Sequence, residues 1–193
     1  MADPGGLTRQ YSWRLAWLAA LWGLAEATVF FIVPDVLLSG VALRCPWSQV
    51  WRLCSWSLLG ALLGGYVMFR WGAADALAAV AVLQQIPAID AAMCDAVAQQ
   101  LREQGLPALF IGPLSGVPYK IYAVQAGGQQ LSLLLFLGLS VPARLLRFLA
   151  VAGATRWICE RLPGMTTQVR MILWVLGWGG FYAWYFWHFA SAH

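Results

Sequence analysis

From Trp13 to Leu43 the chain reads as one apolar stretch broken by Glu26, Pro34 and Asp35. A helix crosses a bilayer in about 20 residues, so this stretch is too long for one straight span. Proline lacks a backbone donor and its ring clashes with the preceding turn, which predicts a break near Pro34. Cys45-Pro46 closes the segment. Similar stretches fill the chain, which is 61% hydrophobic and 10% charged. Soluble domains run near 45–50% apolar and about 25% charged. One water-soluble core of 193 residues cannot hide that much apolar surface. The expectation is therefore an all-α, multi-spanning membrane protein forming a single domain over residues 1–193.

Residues 1–10 are polar and are expected to fray. The first broken segment is placed at 24–44. A membrane helix follows at 53–70, carrying Gly60, Gly64 and Gly65, a small-residue face that allows close helix approach. Residues 73–83 are Ala-rich. The 86–104 segment alternates apolar residues with Asp90, Asp95, Arg102 and Glu103, the pattern of a helix lying on a bilayer surface. A second broken segment, 106–127, holds Pro107, Gly112, Pro113, Gly116, Pro118 and Lys120. Membrane helices are expected at 131–154 and 171–190, joined by a polar connection. Many Trp residues flank these runs (Trp13, Trp47, Trp157, Trp187), as interfacial aromatics do. Arg9, Arg14 and Ala25-Glu26-Ala27 imitate a signal peptide, but the apolar run continues to Leu43, which favours an uncleaved segment.

The two broken segments share a pattern. Phe31-Ile32-Val33-Pro34-Asp35 and Gly116-Val117-Pro118-Tyr119-Lys120 each place Val-Pro in an apolar context with a charge close behind, acidic in the first and basic in the second. Paired interrupted segments point to a binding site between structural repeats. Irregular backbone at membrane depth requires burial in protein or a wet cavity. Both segments are thus read as re-entrant hairpins broken at Pro34 and Pro118, with tips that meet. Glu26, Asp35, Lys120, Arg144 and Arg147 all lie within apolar runs. Each charge is costly at the centre of a span, about 2.5–3.5 kcal/mol on insertion scales, unless paired or hydrated. Simpler roles exist for four of them: snorkelling for Arg144 and Arg147, a structural hydrogen bond for Glu26, and helix capping for Asp35.

Re-entry of the first segment puts Arg9, Arg14, Arg44, Arg52, Arg156, Arg161 and Arg170 on one side, so the N-terminus is expected in the cytoplasm and the C-terminus outside. The net charge of +4 comes from scattered arginines at the ends of apolar runs, which argues against nucleic-acid binding. Cys45, Cys54, Cys94 and Cys159 lack metal-ligand spacing and are read as free. No metal or cofactor is expected.

Three stretches resemble the DedA family, also called the SNARE-associated or VTT-domain superfamily. They are Glu26 with Phe30-Phe31-Ile32-Val33-Pro34-Asp35, Gly60 to Tyr66 with Arg70-Trp71-Gly72, and Leu114-Ser115-Gly116-Val117-Pro118-Tyr119-Lys120 ending at Ala126-Gly127. The chain is closest to a compact variant with a Pro-Tyr-Lys second hairpin. The resemblance implies two opposed re-entrant hairpins, about three full spans, a bacterial inner-membrane location and lipid transport, with undecaprenyl phosphate or a phospholipid as cargo. Typical members carry two arginines in the second hairpin; here Lys120 replaces one and Leu114 occupies the other position, leaving Arg144 and Arg147 to supply charge from the third span.

The expected function is a proton-coupled flippase. Lys120, Arg144 and Arg147 would bind the anionic lipid phosphate, and Glu26 and Asp35 would load and release protons. The alternatives are a passive scramblase and a non-transporting assembly factor or scaffold, using the Gly60/Gly64 face and the aromatics Trp174, Trp178, Tyr182 and Tyr185 as interfaces; a homo-oligomer is a further possibility. An intramembrane enzyme would need a nucleophile or metal cluster, and His188 and His193 stand far from the broken segments. No catalytic residue is therefore assigned.

Overall fold

A computed structural model describes the backbone of residues 4–162 and 164–190, and the side chains of 13–112, 115–162 and 164–187. Its described residues are helical, without strands. Helix α1 runs Pro4–Thr28, α2 Asp35–Ala42, α3 Trp47–Ala74, α4 Ala76–Leu83 and α5 Ala91–Gln104. A 3-10 turn at Leu106–Phe110 leads into the short α6, Gly112–Ser115. Helix α7 spans Tyr119–Gly128, α8 Leu133–Arg161 and α9 Thr167–Ala190. Two helices, α3 and α8, are long and apolar enough to cross a membrane. Helix α9 is 24 residues long, but Trp, Tyr and Gly dilute its apolar content.

The elements differ from the sequence expectation at their ends, for identifiable reasons. Helix α1 begins at Pro4 and so takes in residues 4–10, which the sequence predicts to be frayed; proline is tolerated in a first turn. Helix α3 starts directly after the extended Pro46 and reaches Asp75, so it exceeds the apolar core at 53–70. Asp75 then caps α4, its Oδ1 accepting from the Ala78 N–H at 3.0 Å. The expected 86–104 helix starts late because Pro87 lies in a turn and Asp90 caps α5, accepting from the Met93 N–H at 2.7 Å. Gly105, at φ +66°, ends it.

Helices α1 and α3 run parallel. Trp13 and Trp17 meet Trp56, Ala20 backs onto Gly60, and Leu24 and Ala27 onto Gly64. A Cβ at Gly60 would stand 1.8 Å from the Ala20 carbonyl oxygen, so only glycine permits this approach. Because both helices point the same way, the chain must fold back through α2 between them. Helix α7 is also parallel to α3, with Tyr119 against Gly65 and Val124 against Gly72. Helix α8 is antiparallel: Phe136 lies against Phe69, and Gly153 near Trp47. The Gly60/Gly64 face is thus occupied within the chain and is not open to a partner.

The interior has two clusters. One gathers Tyr122, Val124, Phe136 and Leu101 around the end of α3; the other gathers Leu38, Val50, Leu53 and Phe148 around its start. The outer faces are apolar: Leu63, Leu77, Leu134, Leu146, Leu176 and Trp187 are all more than 60% exposed.

Candidate functional site

The site is built where the two broken segments meet. Residues 29–34 leave the α1 helix, which frees backbone groups that must find partners. Side chains from three helices satisfy them. The Trp22 indole donates to the Ile32 carbonyl at 2.9 Å, the Val33 N–H donates to the Tyr182 hydroxyl at 3.0 Å, and the Lys120 ammonium donates to the Phe30 carbonyl at 2.7 Å. On the other side the chain turns at Gly116, whose φ of +77° suits glycine, and restarts as α7 after the extended Pro118. Lys120, in the first turn of α7, is therefore the direct link between the two breaks.

The four remaining intra-apolar charges form two ion pairs across to α8. Arg144 and Arg147 are three residues apart and share one helix face. Arg144 Nη2 donates to Glu26 Oε2, and both side chains are only 5% exposed. The Arg144 guanidinium also lies 4.4 Å from the Tyr119 ring centroid and 5.3 Å from that of Phe148. Tyr119 in turn donates to Ser140 Oγ at 2.8 Å, and Ser140 to the Phe136 carbonyl at 2.7 Å. Arg147 binds Asp35 Oδ2 through Nε at 2.8 Å and Nη2 at 2.7 Å. Asp35 is the first residue of α2 and makes no capping bond there. Its other oxygen, Oδ1, is buried without a partner, as is Arg144 Nε. Neither Asp35 as a helix cap nor Arg144 as a snorkelling cation describes this arrangement.

A cavity of about 70 Å³ opens beside these groups, lined by Glu26, Phe30, Lys120, Arg147, Val117 and Tyr182 among others. It has room for about two waters, so a larger guest requires some element to move. Helix α9 is the lightly held wall. Its Trp174 and Trp178 indoles donate to a single oxygen, Ser39 Oγ, at 2.9 and 3.0 Å. Tyr182 and Phe186 pack edge-on against Phe31. Trp174, Trp178 and Tyr182, which the scaffold alternative would use as interfaces, thus face α2 and the first break.

The structure brings Glu26, Asp35, Lys120, Arg144 and Arg147 into one cluster, with Pro34 and Pro118 at the two breaks. Sequence reasoning did not single out Trp22, Ser39 or Ser140. All three are polar groups within apolar helices, the available signal for a buried partner. The side chains of Leu114 and His188, and all of His193, lie outside the described residues. Among the described residues no group of three or more His, Cys, Asp or Glu could hold a metal.

No family model matches the chain, and no solved structure matches it. It is similar to an uncharacterized protein of Haemophilus influenzae, 25% identical over 169 residues that cover 88% of this chain and 84% of that one.

Proposed function

We propose that the protein is a DedA-like bacterial inner-membrane carrier that moves an anionic lipid headgroup across the bilayer, coupled to protons. The observation that carries this reading is the two ion pairs between the broken first segment and α8, one buried and one partly exposed, set beside Lys120 at a small cavity. Five charges in an apolar setting converge on one place, an arrangement suited to a translocated charge. The parallel packing of α1 on α3 supports a re-entrant first hairpin, and the return of α7 alongside α3 supports a second. The apolar outer faces suit lipid contact. Helices α3 and α8 would be full spans and α9 a third, with the N-terminus in the cytoplasm.

Asp35 would be the switch. Ionised, it holds Arg147 through two hydrogen bonds. Protonated, it releases the guanidinium, which then offers its planar fork to a phosphate while Lys120 adds a second cation. Headgroup and proton would load together on the more acidic side and leave together on the other, a symport. Glu26–Arg144 would keep α1 and α8 in register throughout. The scaffold alternative has less free surface to use, since Gly60 and Gly64 pack on α1 and Trp174, Trp178 and Tyr182 bond to α2 and the first break.

The test is headgroup flipping in proteoliposomes, comparing undecaprenyl phosphate with ordinary phospholipids, with and without a pH gradient. Gradient-dependent flipping by the wild type and gradient-independent flipping by Asp35→Asn is the expected result. Movement of every lipid without regard to the gradient would indicate a scramblase instead. Absence of movement in folded protein would remove the transport reading.

A further inference from the structure

A second arrangement of cations lies away from the ion pairs. The turn between α2 and α3, the end of α8 and the start of α9 meet at one end of the molecule. Arg156 Nη1 donates to the Cys45 carbonyl at 3.3 Å, tying two of these elements together. The recess between them has a volume of about 460 Å³ and is lined by Arg44, Arg156 and Arg170, with Glu160 as its acidic residue. Glu160 is already bound to Arg156 at 3.1 Å. Arg44 is exposed, and the Nε of Arg170 is buried without a partner. Arg170 also stands in the first turn of α9, where the helix dipole adds positive charge and no acidic residue offsets it. The recess therefore carries a surplus of cations.

This basic recess opens into an apolar groove of about 380 Å³ between α8 and α9, and the two share Leu43, Cys159 and Arg170. Ile158, Leu173, Trp178 and Phe181 line the groove. Phe181 also lines the ion-pair cavity, so the groove leads from the basic end toward the transport site. Both volumes fall in the range of about 300–1,000 Å³ typical of ligand sites. A basic mouth continuous with an apolar slot matches one chemical class on both counts, an anionic lipid with its headgroup at the arginines and a chain in the slot.

We propose that Arg44, Arg156 and Arg170 with the α8–α9 groove form a loading site for an anionic phospholipid, separate from the ion-pair site. This rests on the membrane placement proposed above but not on transport, and its test involves no flipping. Cys159 lies in both the recess and the groove, and all four cysteines are free. Cys94 is fully buried, and burial, with Asp90 and Asp95 nearby, pushes its thiol up to about 11, so it should stay unlabelled while the protein is folded and reports that the fold is intact.

The experiment is alkylation of the intact protein in detergent, followed by mass spectrometry of the Cys159 and Cys94 peptides, as phosphatidylglycerol is added. Phosphatidylglycerol should slow Cys159 labelling by about tenfold when it exceeds its dissociation constant about tenfold, leaving Cys94 unchanged. Phosphatidylcholine with the same chains should leave the rate near its starting value, and so should soluble glycerol phosphate. Arg170→Gln should abolish the protection. Arg44→Gln, at an exposed position with little bearing on folding, should weaken it severalfold. Arg147→Gln should keep it. Equal protection by phosphatidylcholine would reduce the groove to ordinary lipid contact, and equal protection by glycerol phosphate would make the recess a site for soluble anions. Protection unaffected by either Arg44→Gln or Arg170→Gln would likewise overturn the assignment. Failure of the transport reading would leave the protection intact, so the two can fail separately.

Discussion

Glu26–Arg144 and Asp35–Arg147 tie the same two parts of the chain together, yet their surroundings differ. The Arg144 guanidinium is 5% exposed, stacked on Tyr119 and near Phe148, and its partner Glu26 is as little exposed although it reaches the cavity wall. Arg147 is 27% exposed and faces the cavity, and its partner Asp35 keeps one oxygen unbonded. A sealed pair cannot exchange its partner without exposing an isolated charge to an apolar interior. A pair whose cation borders a cavity can, because water or a proton reaches Arg147 there, and an anionic headgroup could follow once a wall moves. Identical chemistry one turn apart on α8 thus gives an anchor in one case and a releasable contact in the other.

The largest effect expected from this contrast is on folding. Arg144→Ala strands Glu26 as an unpaired buried carboxylate and should cost about 3–5 kcal/mol, read by unfolding in detergent. The double change Glu26→Gln with Arg144→Gln removes both charges and should recover much of that loss. If the single change costs little, the sealed pair is not an anchor and the distinction fails. Arg147→Gln is the counterpart. Arg147 borders the cavity, so water can enter beside Asp35 and let it take up a proton, and the cost should fall to about 1–3 kcal/mol. Transport of the anionic lipid should fall at least about tenfold, the equivalent of 1.4 kcal/mol in the barrier. Loss of folding without loss of transport would exchange the roles of the two pairs.

How much of this was legible in the sequence follows from what each signal measures. Apolar run length and Val-Pro breaks located both interrupted segments, because proline acts on its own backbone wherever the chain goes. Charges inside apolar runs marked the five clustered residues, because their desolvation cost demands partners. The identity of those partners was not legible: Glu26 and Arg144 are 118 positions apart, and only the packing of α1, α3 and α8 joins them. Helix ends were misjudged where capping governs rather than hydropathy, as at Pro46 and Asp90. The Gly60/Gly64 face was visible as a packing surface, but sequence does not say whether its partner lies in the same chain. Ser39 escaped notice because a single hydroxyl in an apolar helix leaves no pattern, although two indoles depend on it.

That hydroxyl gives the smallest expected effect and the sharpest probe of how the releasable side of the site opens. Ser39 Oγ accepts from Trp174 and Trp178 and donates to the Val36 carbonyl at 3.1 Å, so it fastens α9 to α2 four residues after Asp35. Ser39→Ala leaves two partly buried indole donors without that acceptor. The net loss should be about 1 kcal/mol, since water can reach these groups and replace part of the bond. Global unfolding should therefore shift little. Local opening should rise, because a segment held by few contacts exchanges through its own excursions rather than through complete unfolding. Amide exchange across 167–187 should accelerate about fivefold for that 1 kcal/mol, while α1, held to α3 at Gly60 and to α8 by Glu26–Arg144, and α3 keep their wild-type rates. Uniform acceleration would mean that α9 opens only with the whole fold. No acceleration would place its hold in the Phe31 stacking with Tyr182 and Phe186, and Phe31→Ala would then be the change that frees the wall beside Asp35.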